Sequence, residues 1–339
     1  MRRVLVAFAC ACLALGAPAA VVAKANGSWA QAEIRLVTAH GLMGGNEKTF
    51  RPDAALTRGA LDDLVGGLRE TEPATTPDPS ARVTLAGLDQ ALVRALELAD
   101  EGRLFYVGAR ASGLRPPSRF GSEVVARLLG LRKNHEAPND DLELLPSDAA
   151  TRAEAAYSAA QILRFRGWET DAIEANAASF KLPAYTQWQR KVLQTAVNLI
   201  GYPYVWGGTG TAGPTLLGGT SRGGFDCSGF VWRVFKLQRY AGAEALTQTL
   251  RGRTAAQMAG EVPRALRISF ANLEPGDVMF FGRGGRRARA AAIDHAGIYL
   301  GGGWMINSSR FGVALAPVKG WYAERFAWGR RPLAEAGLS

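Results

Sequence analysis

Cys227 is the only cysteine beyond residue 12 of this 339-residue chain, and it stands at the start of a helical pattern. Apolar residues at 227, 230, 231, 234 and 235 follow the 3.6-residue period of an amphipathic helix. Asp226, directly before it, is a residue type that caps helix N-termini. Free N–H groups in a first helical turn stabilise a thiolate. The segment therefore predicts a nucleophilic thiol, with an inert buried cysteine as the alternative.

The beginning of the chain is typical of a secretory signal peptide. Arg2 and Arg3 precede an apolar run from Val4 to Leu15, and small residues follow it. The run is shorter than the ~20 residues of a membrane span, so we predict a signal peptide over residues 1–23, with an uncleaved anchor as the alternative. We expect the mature chain to be secreted or held in the cell envelope, with no integral membrane segment. An unpaired thiol is unusual in an oxidising compartment, and Cys227 therefore needs a functional explanation.

His295 is the only histidine in residues 190–339, and it lies in a predicted β-hairpin. Two apolar runs flank the three glycines at 301–303. If those glycines form the loop, Leu300 pairs with Trp304, and Gly297 pairs with Asn307.

This register brings His295 and Asn307 together. Side chains alternate along a strand, so the two share a face as diagonal neighbours, with Cα atoms roughly 7 Å apart. The amide of Asn307 can then fix the imidazole tautomer and leave the other ring nitrogen to face a thiol. Nucleophile, base and orienting residue are the components of cysteine hydrolases. A structural histidine is the alternative.

The excess of positive over negative charge lies in the second half of the chain. Residues 190–339 carry 19 basic and 8 acidic side chains, whereas the whole chain has a net charge of +10. Such asymmetry favours a domain boundary and an anionic partner for the second half. For an exported protein we expect an anionic cell-wall polymer rather than nucleic acid, with plain solubility as the alternative.

The first half is predicted to be mostly helical, with a weak internal repeat. Helices are indicated at 30–38, from Thr57 to about 68, at 124–131 and from Thr151 to about 165. Twice a helix is followed by a polar loop, a Thr-Arg pair and a second helix, with a period near 94 residues. Residues 83–99 are predicted to supply the second helix of a degenerate middle unit.

The first of these units resembles an S-layer homology repeat. The resemblance depends on Gly41-Leu42-Met43-Gly44-Gly45, Thr49-Phe50-Arg51-Pro52-Asp53 and Leu56-Thr57-Arg58, and Thr151-Arg152-Ala153-Glu154 extends it to a later repeat. The family implies docking on a secondary cell-wall polymer, with Arg58 and Arg152 as candidate contacts. Gly59-Ala60 departs from the usual Ala-Glu. A helical spacer or dimerising module is the alternative.

Residues 190–335 resemble an NlpC/P60 cell-wall peptidase. Four motifs carry the resemblance, in order along the chain: Gly201-Tyr202-Pro203-Tyr204-Val205-Trp206-Gly207-Gly208, Phe225-Asp226-Cys227-Ser228-Gly229-Phe230-Val231, Leu273-Glu274-Pro275-Gly276-Asp277-Val278-Met279-Phe280-Phe281 and Asp294-His295-Ala296-Gly297-Ile298-Tyr299-Leu300. The family implies a papain-like α+β fold, in which a nucleophile helix packs on an antiparallel sheet. It also implies hydrolysis of peptidoglycan stem peptides, typically between γ-D-glutamyl and a diamino acid.

The resemblance assigns roles to particular residues. Cys227 is implied as nucleophile and His295 as base, with Asn307 at the third position, which is often His in the family. Tyr204 is implied to lie near the thiol, and Asp226 and Ser228 near a free amine of the substrate. No metal or organic cofactor is needed.

The predicted organisation is therefore a signal peptide, two stretches of repeats, a linker and a peptidase domain. The boundaries are 27–72 for the first repeat, 73–165 for the degenerate repeats, 166–184 for the linker and 185–335 for the peptidase domain. The loops at 209–224 and 283–289 are expected to flank the cleft. Two alternatives stay open: an amidase or acyltransferase on the same fold, and a wall-anchored structural protein with a vestigial catalytic domain.

Overall fold

The computed structural model describes residues 28–133, 143–214, 220–221 and 223–338. The predicted signal peptide lies outside these residues, as does most of the polar loop expected at 134–147. Across the described ranges, no helix combines the length and the apolar character that crossing a membrane requires.

Residues 28–180, here called the helical half, confirm the predicted helical character. The first helix, over Gln31–Ala39, turns Ile34 and Val37 inward. The helices of this half are α1 (Gln31–Ala39), α2 (Arg58–Arg69), α3 (Leu85–Ala95), α4 (Ala99–Ala111), α5 (Phe120–Leu128), α6 (Arg152–Leu163) and α7 (Trp168–Ser179).

Three of these helices begin in the same way, which reveals the repeat. Each follows a threonine whose side-chain oxygen accepts a hydrogen bond from the N–H three residues later. These caps are Thr57 before α2, Thr84 before α3 and Thr151 before α6. Just before the caps, the N–H of Leu56 donates to Ala150, that of Ala150 to Val83, and that of Val83 to Leu56. This closed ring places three units around one centre, and α3 belongs to the middle unit.

The segment 166–184, predicted to be a linker, contains helix α7. Its residues Ile173 and Ala177 are buried, and Phe180 follows at its end. The ring of Phe180 packs between Phe105 and Trp304, with centroid distances of 5.1 and 5.2 Å. Because Trp304 lies in the second half of the chain, this crossing segment is packed against both halves.

Residues 181–338, here called the sheet half, combine an antiparallel sheet with short helices. Five strands form the main sheet in the order β8-β7-β6-β5-β9, and α9 packs on β6 and β7. The elements are α8 (Gln187–Asn198), β1 (Thr209–Gly210), β2 (Gly213–Pro214), β3 (Thr220–Ser221), β4 (Gly224–Phe225), α9 (Cys227–Trp232), α10 (Leu246–Thr249), α11 (Ala255–Gly260), β5 (Val278–Gly282), β6 (Ile293–Gly301), β7 (Trp304–Ser309), β8 (Gly312–Pro317), α12 (Trp321–Arg325), β9 (Phe326–Arg330) and α13 (Pro332–Glu335).

The predicted hairpin is present as β6 and β7, with one correction near its tip. Gly297 pairs with Asn307 as expected, but the pairing of Leu300 with Trp304 is wrong, because Gly301 pairs with Trp304 instead. The turn contains two residues, Gly302 and Gly303, with φ of 60° and 81°. Positive φ at both central positions is what a tight type I′ hairpin turn requires. The register shift between Tyr299 and Gly301 absorbs the extra residue, so the pairing nearer His295 is unchanged.

A buried arginine joins the two halves. The Arg127 guanidinium donates to Glu123 Oε1 at 2.6 Å and to Glu143 Oε1 at 2.8 Å, both in the helical half. It also donates to the carbonyls of Gly201, at 2.9 Å, and of Phe311, in the sheet half. Both carboxylates are almost fully buried with it. Since a buried charge is costly without partners, this arrangement favours one fixed packing of the halves.

Candidate active site

Cys227 lies at the first position of α9, where the sequence placed it. The side chain of Asp226 accepts from the N–H of Gly229 at 2.5 Å, which caps the helix. The thiol is half-buried, and its Sγ lies 3.9 Å from the carbonyl oxygen of Asp294. Asp294 directly precedes His295 in β6, so the thiol stands beside the strand that carries the histidine.

His295 and Asn307 are joined by a hydrogen bond. The distance from His295 Nε2 to Asn307 Oδ1 is 3.1 Å, and Asn307 is fully buried in β7. An amide oxygen can only accept, so His295 carries its hydrogen on Nε2. Nδ1 is therefore the nitrogen that is free to act as a base.

Aromatic side chains surround the imidazole. Its ring centroid lies 5.7 Å from that of Phe281, 5.8 Å from Tyr322 and 6.4 Å from Trp321. Burial disfavours the charged ring and lowers the pKa of His295 to about 4, against the opposing effect of the Asn307 hydrogen bond. His295 is accordingly neutral at pH 7 and able to accept a proton.

The Cys227 thiol is protonated at neutral pH. Burial raises the pKa of Cys227 to about 11, and the nearby Asp226 carboxylate adds to the rise. Backbone N–H groups of Ala296 and Ser228 act in the opposite direction but are outweighed. The helix start alone therefore does not produce a thiolate here, because burial outweighs its stabilising N–H groups. Cys227 and His295 are thus both neutral at pH 7.

Asp226 and Ser228 contact an arginine that the sequence analysis missed. Arg253, just before the N-cap of α11, donates to Asp226 Oδ1 at 3.1 Å, to Asp226 Oδ2 at 2.9 Å and to Ser228 Oγ at 2.8 Å. Gly207 N–H and Ser228 Oγ also donate to this carboxylate, which is 6% exposed. The negative charge of Asp226 is thus compensated by Arg253, and both of its oxygens accept hydrogen bonds within the protein. A capping box at Thr254 marks the start of α11, but no sequence signal pairs Arg253 with Asp226.

Tyr204 lies close to the thiol, as implied. Its backbone forms a parallel β-bridge with Phe225, in the segment that leads into α9. Burial raises the pKa of Tyr204, and electrostatic interactions with Cys227 and Asp226 add to the rise. Its neighbour Trp206 is 75% exposed. The structure therefore brings together Tyr204, Asp226, Cys227 and Ser228 around the start of α9.

The two arginines proposed as polymer contacts differ in their surroundings. Arg152 donates to the carbonyls of Phe50, at 2.8 Å, and Met43, at 2.7 Å, and lies over the Phe50 ring. Its guanidinium therefore ties α6 to the loop of the first repeat. Arg58 is exposed at the start of α2.

The arginine-rich segment between β5 and β6 lies beside the candidate site. A 3₁₀ turn at Gly285–Arg287 orders this loop, and the last residue before the strand is only three positions from His295. Its exposed arginines are Arg283, Arg286, Arg287 and Arg289. The loop packs against α12, which carries Trp321 and Tyr322, and its arginines form an exposed basic surface there.

Residues 201–331 match the NlpC/P60 family, and residues 24–61 match the S-layer homology domain. Both resemblances drawn from the sequence are confirmed, as is the α+β fold with a mostly helical region before it. The chain therefore carries an NlpC/P60 domain that follows an S-layer homology domain.

Several named proteins match part of the chain. The gamma-D-glutamyl-L-lysine dipeptidyl-peptidase of Bacillus subtilis is 30% identical over 129 residues, which cover 37% of this chain and 33% of that protein. The murein DD-endopeptidase MepH of Escherichia coli is 33% identical over 153 residues, or 43% of this chain and 48% of that protein. The solved peptidoglycan hydrolase RipB of Mycobacterium tuberculosis is 24% identical, with a TM-score of 0.32, and the match covers 47% of this chain and 77% of RipB. The chain thus spans less than half the length of these two curated relatives.

Proposed function

We propose that this protein is an exported cysteine endopeptidase that hydrolyses the γ-D-glutamyl–diamino acid bond of peptidoglycan stem peptides. The observation that carries the proposal is the 3.1 Å contact between His295 Nε2 and Asn307 Oδ1, which leaves Nδ1 free on the strand beside the Cys227 thiol. A nucleophile, a base and an orienting residue are what covalent hydrolysis of an amide needs. The names of the relatives supply the substrate class.

The reaction begins with a neutral pair. His295 Nδ1 takes the thiol proton while Cys227 Sγ attacks the γ-glutamyl carbonyl carbon. A backbone N–H at the start of α9 stabilises the oxyanion of the tetrahedral intermediate. The C–N bond then breaks as the imidazolium gives its proton to the departing amine. Water next attacks the thioester, with His295 accepting its proton, and the acid product leaves as the thiol is restored.

The ion pair between Asp226 and Arg253 bears on which stem peptides are accepted. A dipeptidyl-peptidase must recognise a free amine, which calls for an unpaired carboxylate in its subsite. Here both carboxylate oxygens of Asp226 already accept hydrogen bonds from Arg253, at 3.1 and 2.9 Å. The same guanidinium donates a hydrogen bond to Ser228 Oγ. This favours an endopeptidase that does not require a free amine, rather than the amine-binding role first assigned to Asp226 and Ser228.

Product analysis tests the proposed reaction. We expect the wild-type protein to cleave a soluble stem peptide between its second and third residues, and to cleave the N-acetylated peptide within about threefold of the free-amine peptide, because Asp226 is already paired with Arg253. The measurement is mass spectrometry of the products with time. Loss of the whole stem from its sugar would indicate an amidase, and a transferred acyl group an acyltransferase. Absence of any cleavage would favour the vestigial domain.

We further propose that the sheet half contacts an anionic cell-wall polymer through its arginine-rich loop. The loop displays four exposed arginines, and within the described residues none of them has a carboxylate partner. By contrast, Arg152 of the repeats is engaged in contacts within the protein. Arg58 remains the candidate contact on the helical half.

Replacing Arg283, Arg286, Arg287 and Arg289 with glutamine is expected to raise the apparent Kd for native cell wall about tenfold, since four exposed ion pairs contribute roughly 0.3–0.5 kcal/mol each. Sedimentation with purified wall at several salt concentrations measures it. The matched control replaces four exposed arginines of the helical half, Arg82, Arg94, Arg115 and Arg166. Equal losses in both variants would show a nonspecific charge effect and contradict this contact.

A further inference from the structure

Tyr322, in α12, touches both the histidine and the asparagine of the candidate site. Its ring lies against His295, with centroids 5.8 Å apart and planes inclined by 32°. Its hydroxyl lies 3.2 Å from Asn307 Oδ1, the same atom that His295 Nε2 approaches to 3.1 Å. The Tyr322 ring also packs against the ring of Phe281, with 5.5 Å between centroids. None of the four sequence motifs includes this tyrosine.

The geometry fixes which atom donates. Asn307 Oδ1 has two lone pairs and no hydrogen, so both His295 Nε2–H and the Tyr322 hydroxyl must donate to it. Burial raises the pKa of Tyr322, and the nearby Ser309 side chain acts in the opposite direction. The hydrogen bonds run from Tyr322 to Asn307 and from His295 to the same oxygen.

A second donor on Asn307 Oδ1 matters because the side-chain amide can rotate by half a turn, which exchanges the positions of its oxygen and its NH₂ group. With its NH₂ group toward the imidazole, Asn307 would face Nε2 with a donor, and the ring hydrogen would move to Nδ1. That tautomer has no lone pair on Nδ1, the nitrogen that acts as the base in the proposed function. In the turned amide the Tyr322 hydroxyl would have to accept from the NH₂ group instead of donating to Oδ1. A phenol oxygen is a weaker acceptor than an amide oxygen, so Tyr322 disfavours the inactive arrangement.

We propose that Tyr322 is a positioning residue that holds Asn307 with its oxygen toward His295 and thereby keeps the imidazole in the tautomer with Nδ1 free. The proposal rests on the proposed function, in which His295 is the base. It assigns Tyr322 no contact with the substrate, so its effect is expected in kcat rather than in KM.

Tyr322→Phe tests this with little disturbance, because the ring and its packing stay. We expect kcat to fall about 3- to 10-fold with KM unchanged, the size of one net hydrogen bond. We also expect ¹⁵N NMR of the imidazole to show part of the His295 population with its hydrogen on Nδ1, whereas the wild type carries it on Nε2. The chain has only three histidines, which makes the resonance straightforward to assign.

The control is Tyr299→Phe, on the same strand as His295. It removes a hydroxyl that accepts from the N–H of Gly303 at 3.1 Å, away from the site, and should leave both kcat and the tautomer unchanged. Wild-type kcat and tautomer in Tyr322→Phe would overturn the proposal. If that variant fails to fold, Ser309→Ala carries the test: a smaller change of the same kind supports the proposal, and none contradicts it. A wild-type protein without hydrolysis contradicts the proposed function, whereas the tautomer still reports on Tyr322.

Discussion

Cys227→Ala is expected to lower the rate of stem-peptide hydrolysis by about 10⁴-fold or more while leaving the protein folded. Without Sγ no thioester can form, and only binding and oxyanion stabilisation remain to accelerate attack by water. The thiol is half-buried and its contact with the carbonyl of Asp294 is a long one, 3.9 Å, so its loss should cost little stability. Mass spectrometry of cleavage products over hours, with circular dichroism and a urea titration on the same sample, measures both effects.

Cys227→Ser is the matched control for this experiment. Serine keeps the size and hydrogen bonding of the side chain but is a far weaker nucleophile, so it too should be nearly inactive. Full activity in either variant would rule out Cys227 as the nucleophile. Slow alkylation of the wild-type thiol at neutral pH would not rule out Cys227 as the nucleophile. A pKa of about 11 leaves roughly one thiolate in 10⁴ molecules at pH 7.

Local patterns predicted the individual parts of the site well. The apolar spacing after Cys227 and the capping aspartate depend on neighbours a few residues apart, and α9 begins where they indicated. The contact of His295 with Asn307 depended on hairpin register, which held because a bulge compensated for the shorter turn. Where adjacent residues decide the geometry, sequence is sufficient.

Long-range contacts explain what the sequence did not reveal. Arg253 lies 27 positions from Asp226 and Tyr322 lies 15 from Asn307, and no periodicity connects them. The elevated pKa of Cys227 arises mainly from burial, which depends on how distant parts of the chain pack around the thiol. The middle repeat was hard to recognise because Thr84 keeps the cap while Leu85 replaces the arginine that follows the other two caps.

Arg253→Met is expected to destabilise the protein by about 3–5 kcal/mol, because it leaves Asp226 buried without its counter-charge. The side chains are 18% and 8% exposed, so water can replace little of the lost interaction. Urea titrations of the wild type and the variant at pH 7 measure the loss. Arg251→Met, an exposed arginine two positions earlier, is the control and should change stability by less than about 0.5 kcal/mol.

The same variant separates the two interpretations of the carboxylate beside the nucleophile. Replacing Arg253 in this way tests whether it occupies the place that the ammonium group of a substrate would take. If it does, its removal frees Asp226 for the amine of an unacylated stem peptide, and the rate ratio of free-amine to N-acetyl substrate should rise at least about tenfold. Asp226→Asn combined with Arg253→Met removes both charges, and should recover stability without gaining that preference. A wild-type preference for the free-amine peptide that Arg253→Met leaves unchanged would mean that the amine is recognised elsewhere. In that case the ion pair would serve only to hold the start of α9.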